Sequence, residues 1–163
     1  MTAYLTRMPA GIAGAISRPH DSTTEPALLQ SSATFTLYGL AGKYSGNFFV
    51  PLAAGDTVDK IVGFYVRPFP TTLTPDLIRQ VGTDKNVQAD ILKRGYLSVN
   101  LGADASAVVK GSAVYVRVGT PTTASPLGSV LAAADSANTV QLTNAYFTGA
   151  GDAAGNTEIA YNL

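Results

Sequence analysis

Cysteine is missing from all 163 positions of the chain. That absence removes disulfide frameworks, thiolate nucleophiles and thiolate metal sites together. Charge is scarce as well. Eleven Lys and Arg balance eleven Asp and Glu, so 13% of the residues are charged and the net charge is zero, against about 25% charged residues in an ordinary soluble domain. Phosphate backbones are met by clustered basic faces. The one adjacent basic pair, Lys93-Arg94, reads at least as well as a solvated helix end, so no nucleic-acid partner is expected. Apolar runs fall short of the roughly 20 residues that a membrane helix needs, and no membrane partner is expected either. The opening stretch Met1-Thr2-Ala3-Tyr4-Leu5-Thr6-Arg7 lacks the basic-then-apolar build of a secretory signal, which points to synthesis and retention in a cytoplasm-like setting.

A chain of this length fits one domain of ordinary size with an appended arm. It can bury about two-thirds of its unfolded surface and needs no metal or disulfide staple. A surface so lean in charge resists association poorly. Two readings follow: a small domain faced with Ser, Thr, Asn and Gly, or a domain whose surface is largely buried against partners.

Residues 1 to about 30 carry Pro9, Gly11, Gly14, Pro19 and Pro26, spaced so that neither a long helix nor a central strand forms. Met8, Ile12, Ile16, Leu28 and Leu29 nevertheless demand burial. The stretch reads either as an extended arm lying across a neighbour or as an N-terminal strand folded onto its own domain. From residue 33 the pattern turns to strands. Segments 33–38, 47–50, 60–67, 96–101, 113–118, 139–142, 146–147 and 158–162 alternate or run apolar, with Gly, Pro and Asp between them. One short helix is predicted over Asp84 to Lys93, capped by Asp84, with Val87, Ile91 and Leu92 at helical spacing and basic residues at its negative end. The expected fold is mainly β: a single β-sandwich or barrel-like (jelly-roll-type) domain over residues 31–163, with one short helix and an extended N-terminal arm over residues 1–30.

Catalytic chemistry finds little support. His20, the only histidine, sits between Pro19 and Asp21, and sequence neighbours usually point apart, so a surface histidine is the simpler reading. No Gly-x-Ser-x-Gly turn presents a serine. The carboxylates are scattered, and a facing pair of the glycosidase kind is not indicated; Asp56 and Asp59 read as turn residues. The run Gly149-Ala150-Gly151-Asp152-Ala153-Ala154-Gly155-Asn156 misses the dinucleotide fingerprint by one position. It also lacks the acidic ladder of a calcium loop. A hairpin between two strands explains it. Eight Tyr and six Phe without Trp fall mostly at strand positions, where aromatics fill cores. No catalytic, cofactor or metal residues are expected.

Several stretches, in order, resemble the structural cement (decoration) proteins of tailed-bacteriophage heads. They are Ile16-Ser17-Arg18-Pro19, Ala54-Gly55-Asp56 leading into Ile61-Val62-Gly63-Phe64-Tyr65-Val66-Arg67-Pro68-Phe69-Pro70, then Ile91 to Val99, Lys110 to Val118, and Phe147-Thr148-Gly149 through Asn156 to Asn162. Each piece alone is ordinary strand-and-turn text. The resemblance implies a β-rich virion protein without catalytic residues or cofactors. Such proteins bind the outer surface of the head as homo-oligomers (dimers or trimers) and bridge neighbouring subunits of the major capsid protein. The expected contact residues are Met8, Ile12, Ile16 and Arg18 in the arm, with Arg67, Phe69 and Leu77 in the Pro-rich loop. Removing the first 20 residues is then expected to weaken capsid binding while the β domain stays folded. A carbohydrate-binding or tail/fibre module of a virion is the alternative, and a small hydrolase with an unrecognised carboxylate pair is a third.

Overall fold

The computed structural model describes residues 11–68 and 87–163, Val87 by its backbone only. Nine strands carry it: β1 (Thr23–Leu29), β2 (Ala41–Ser45), β3 (Phe48–Pro51), β4 (Gly63–Tyr65), β5 (Val87–Asn100), β6 (Ala113–Arg117), β7 (Val130–Leu131), β8 (Thr139–Phe147) and β9 (Asn156–Tyr161). All join one sheet in the order β1-β3-β2-β4-β5-β9-β8-β6-β7, and β1 pairs again with β5. That extra pairing closes β1, β3, β2, β4 and the first half of β5 into a ring, the barrel-like part of the fold. The second half of β5 starts an open antiparallel sheet with β9, β8, β6 and β7. The mainly-β expectation is met, and the remaining helical structure among the described residues is single 3-10 turns.

Strand β5 belongs to both halves because of a bulge at Lys93. Within the ring, Ile91 faces one core and Leu92 the other, as alternation along a strand requires. The pairing with β1 steps from Thr24–Leu92 to Thr23–Arg94, so Lys93 is an extra residue that shifts the phase of the pleat. Beyond it Leu97 and Val99 fall on the same side as Leu92. One strand thereby lines two adjacent hydrophobic clusters. The larger includes Phe64, Leu92, Leu97, Val114, Val116, Phe147 and Ile159, all fully buried. The smaller fills the ring with Leu29, Phe35, Tyr38, Leu40, Phe49, Tyr65 and Ile91. Phe35 stacks on Phe49 at 4.9 Å between ring centroids, and Tyr65 leans on both Phe35 and Tyr38 at the same spacing. In offset and tilted geometries such pairs add to the burial of their area.

Two expectations are corrected. The helix over Asp84 to Lys93 does not form where the residues are described: from Val87 onward the chain is β5. Val87 and Ile91 sit four residues apart, which suits a helix turn and equally suits alternate positions of a strand. Pairing decides, because β1 runs antiparallel to β5 over seven residues, with Ala27 against Ala89 and Glu25 against Ile91. Segment 33–38 is a series of turns and bends rather than a strand. Its Phe35 and Tyr38 are buried while Leu37 is exposed; a strand would have placed Phe35 and Leu37 on one face. The hairpin expected at 149–156 does join β8 to β9.

Long loops are pinned by specific donors. Arg117, on β6, is almost buried, and its Nε donates to Ser125 Oγ at 2.8 Å. Its Nη1 donates to the carbonyls of Gly119 and Thr120 and to Asp135 Oδ2 at 3.1 Å. One guanidinium thus ties both ends of the 118–138 crossover to the sheet. Arg117→Ala removes four hydrogen bonds from the buried guanidinium, one of them to the buried Ser125, and is expected to cost about 3 kcal/mol. Asp135 is 46% exposed, so Asp135→Asn is expected to cost under about 1 kcal/mol. Urea unfolding of the two variants measures the difference, and equal costs would show that the ion pair, not the carbonyl ligation, holds the loop.

Candidate functional site

The most constructed feature on the surface is a strap, residues 11–18, laid beside the second half of β5. Gly14 N–H donates to the Ser98 carbonyl at 2.8 Å, and Ser98 N–H donates back to Ala15 at 2.9 Å. Ile16 bridges to Leu97, and Ser17 N–H reaches the Tyr96 carbonyl. From the other side Arg67 N–H donates to the Gly14 carbonyl at 2.7 Å and Arg67 Nε to the Ala13 carbonyl at 2.9 Å. The Arg67 guanidinium lies 4.4 Å over the Tyr38 ring. A Cβ on Gly14 would come within 2.4 Å of Tyr38 Cβ, so the strap passes through a slot that only glycine fits. Arg18 ends it, with its guanidinium 3.9 Å over Tyr96 and Nη2 2.9 Å from Glu158.

Four of the seven expected contact residues therefore meet here. Ile12 stands 52% exposed and Arg18 lies on the surface, whereas Ile16 is half-buried and packs on the larger cluster. Arg67 serves as the clamp on the strap. Met8, Phe69 and Leu77 lie outside the described residues. Because residues 13–17 supply backbone partners to β5 and Arg67, the cut that tests an arm without stripping the sheet falls after residue 10.

Sequence reading missed other exposed apolar side chains: Leu28 at 45%, Tyr44 at 40% and Val109 at 66%, with Leu37 and Val58 also exposed. Leu28 had a signal, since two adjacent leucines on a strand cannot both face one core. Val109 sits in a loop and had none.

The polar clusters satisfy themselves. Asp152 accepts from the backbone N–H and the side-chain amide of Asn156 at 2.8 and 3.1 Å, and those bonds hold its carboxyl below the ordinary range. Asp104 is lowered likewise by the Ser106 N–H. Asn100 donates to the Ala154 carbonyl and to Asn156 Oδ1. This is turn chemistry, in which short polar side chains close their own loop. No group of three or more His, Asp or Glu able to hold a metal occurs among the described residues. His20 is exposed in a single 3-10 turn, Pro19–Asp21. No helix among the described residues is long and apolar enough to cross a membrane.

Asp56 is the carboxylate most tied to folding. Burial pushes its carboxyl up, but Lys43 at 2.6 Å, the Ala53 N–H at 2.6 Å and the charge of Lys60 together hold it below the usual range. A depressed folded value means stability that is present above the ordinary carboxylate pKa and lost as pH falls through the folded value. Melting temperatures taken from about pH 5 down to about pH 2 are expected to drop less steeply for Asp56→Asn than for the parent. Parallel curves would contradict this.

The fold has a solved counterpart. A chain in the structure titled "The capsid of Myoviridae Phage XM1" superposes with a TM-score of 0.72 over 98% of this chain and 95% of that one, at 17% identity. At that identity the likeness is one of fold. Among curated proteins none matches. The model of one protein family takes in residues 1–161, to the end of β9. The chain therefore belongs to the XM1 gp53 minor capsid protein family, and is a structural protein of a bacteriophage capsid.

Proposed function

We propose that this capsid protein is a cement, or decoration, protein: it binds the outer surface of the phage head, bridges neighbouring major capsid protein subunits, and catalyses no reaction. The carrying observation is that the capsid-family match takes in residues 1–161, nearly the whole chain. Two surface properties support the reading. Charge is low, at 13% with zero net, and desolvating such a surface costs little. Large apolar side chains such as Ile12, Leu28, Tyr44 and Val109 are exposed and gain by being covered.

The mechanism is buried area repeated by symmetry. Each copy makes contacts of modest strength, and simultaneous engagement of two capsid subunits multiplies them through effective concentration. In this reading Met8 and Ile12 grip a neighbouring subunit, and Ile16, Arg18 and Arg67 hold the base of the arm against β5. Phe69 and Leu77, in the Pro-rich loop, form a second contact.

Heat challenge tests the bridging. Heads carrying the protein are expected to release their DNA at a higher temperature than the same heads without it, and removal of residues 1–10 is expected to abolish much of that gain. Heads that bind the protein yet release DNA at the same temperature would make it a passive surface protein instead.

A further inference from the structure

Strand β1 has an edge that the fold leaves open. It pairs with β5 along all seven residues, but with β3 only at Leu28 and Leu29. Over 23–27 the other edge meets no strand among the described residues, and Pro26 there has no N–H to give. A groove follows this edge, lined by the consecutive residues Glu25, Pro26, Ala27 and Leu28 on one side and by Tyr44 and Asn47 of the β2–β3 hairpin on the other. Lining by four consecutive residues places the opening along the strand's edge, because alternate residues face opposite sides of a sheet. Leu28 and Tyr44, two of the more exposed apolar side chains, flank it.

This combination of a backbone edge unpaired among the described residues and apolar flanks suits an extended peptide carrying apolar residues. Residues 2–8, Thr2-Ala3-Tyr4-Leu5-Thr6-Arg7-Met8, have that chemistry: no glycine or proline, and three large apolar side chains. Their own groove is remote. The strap meets β5 at Ser98, while the groove runs from Glu25, opposite Ile91, to Leu28, opposite Gln88, about 23 to 33 Å away along the strand. Ten extended residues span at most about 33 Å, so an arm following the strand reaches the near end with about three residues to spare. A copy packed alongside faces no such limit.

We propose that the groove along β1 takes residues 2–8 of a second copy as an added strand, so that the protein self-associates by exchanging N-terminal arms. The interaction is defined without heads and stands or falls separately from the cement role.

Sedimentation equilibrium of the purified full chain tests it, beside Leu28→Lys, which spoils the groove, and a variant lacking residues 2–8, which has no arm. The full chain is expected to associate. Each variant is expected to be monomeric, or at least tenfold weaker in association, with its melting temperature kept. Mixing the two variants is expected to restore a 1:1 pair, because one supplies an intact arm and the other an intact groove. A monomeric full chain, undiminished association in the folded arm-less variant, or a mixture that stays monomeric would each overturn the proposal.

Discussion

Gly95→Ala is expected to lower the unfolding free energy by about 4 kcal/mol, among the largest single effects available in this chain. Gly95 holds φ +126°, and a Cβ there would lie 2.2 Å from Ser22 Oγ and 2.6 Å from Ser22 Cα. The Oγ could rotate away, but the Cα is backbone and cannot. Ser22 is itself fixed, its Oγ donating to the Arg18 carbonyl and accepting from the Tyr96 N–H. Relief therefore requires moving the segment between the strap and β1, or distorting β5 where it passes from the ring into the open sheet. Thermal unfolding reads the result: for a domain of this size about 4 kcal/mol corresponds to a fall of about 10 °C. A variant within about 2 °C of the parent would show that β5 does not need its glycine.

Phe49→Ala is expected to cost a similar amount, about 4 kcal/mol, by a different route. Phe49 is fully buried on β3, stacks on Phe35, and meets Tyr44 edge-on at 6.4 Å. Gly42 on the facing strand leaves room for the ring, whose Cζ stands 2.4 Å from where a Cβ would be. The ring closes through β3, and the β1–β3 pairing rests on just two residue pairs, one of them Leu29 with Phe49. Truncation therefore opens a cavity beside the weakest seam of the ring. Urea unfolding measures the loss. Phe49→Leu, which keeps most of the volume, is expected to recover more than half of it; equal losses for both variants would point to the aromatic stacking rather than the cavity.

The same residues show what sequence alone could and could not convey. The open sheet was readable, because Val114 and Val116, or Ile159 and Tyr161, alternate inward with polar or small neighbours, and the glycine-rich run at 149–155 marks the hairpin between β8 and β9. The ring was not. Its core takes Phe35 and Tyr38 from turns, where no period governs which residue is buried, and its closure depends on β1 meeting β5 at pairs 58 to 71 positions apart. The spacing of Val87 and Ile91 fits two periods, and only the partner strand selects one. Within the strap, Ile12, Ile16 and Arg18 were legible as apolar anchors and a charge in a Pro- and Gly-broken stretch. The clamp was not, since Arg67 reaches the Ala13 carbonyl across 54 positions and no local spacing encodes that. Arg117 likewise looks like the end of an ordinary strand until its loop folds back over it.

These elements lead to one account of how the chain works. A charge-poor β domain exposes apolar side chains and anchors its first residues with a strap clamped between β5 and Arg67. On the proposed role, assembly onto the head covers that exposed surface. The central claim is the cement role, and cosedimentation with mature heads lacking the protein tests it most directly. Purified protein is titrated onto heads of its own phage and the copies per head are counted. The account predicts saturable binding at a number compatible with the symmetry of the head lattice. Folded protein that fails to sediment with heads, or binds without saturating, would contradict it.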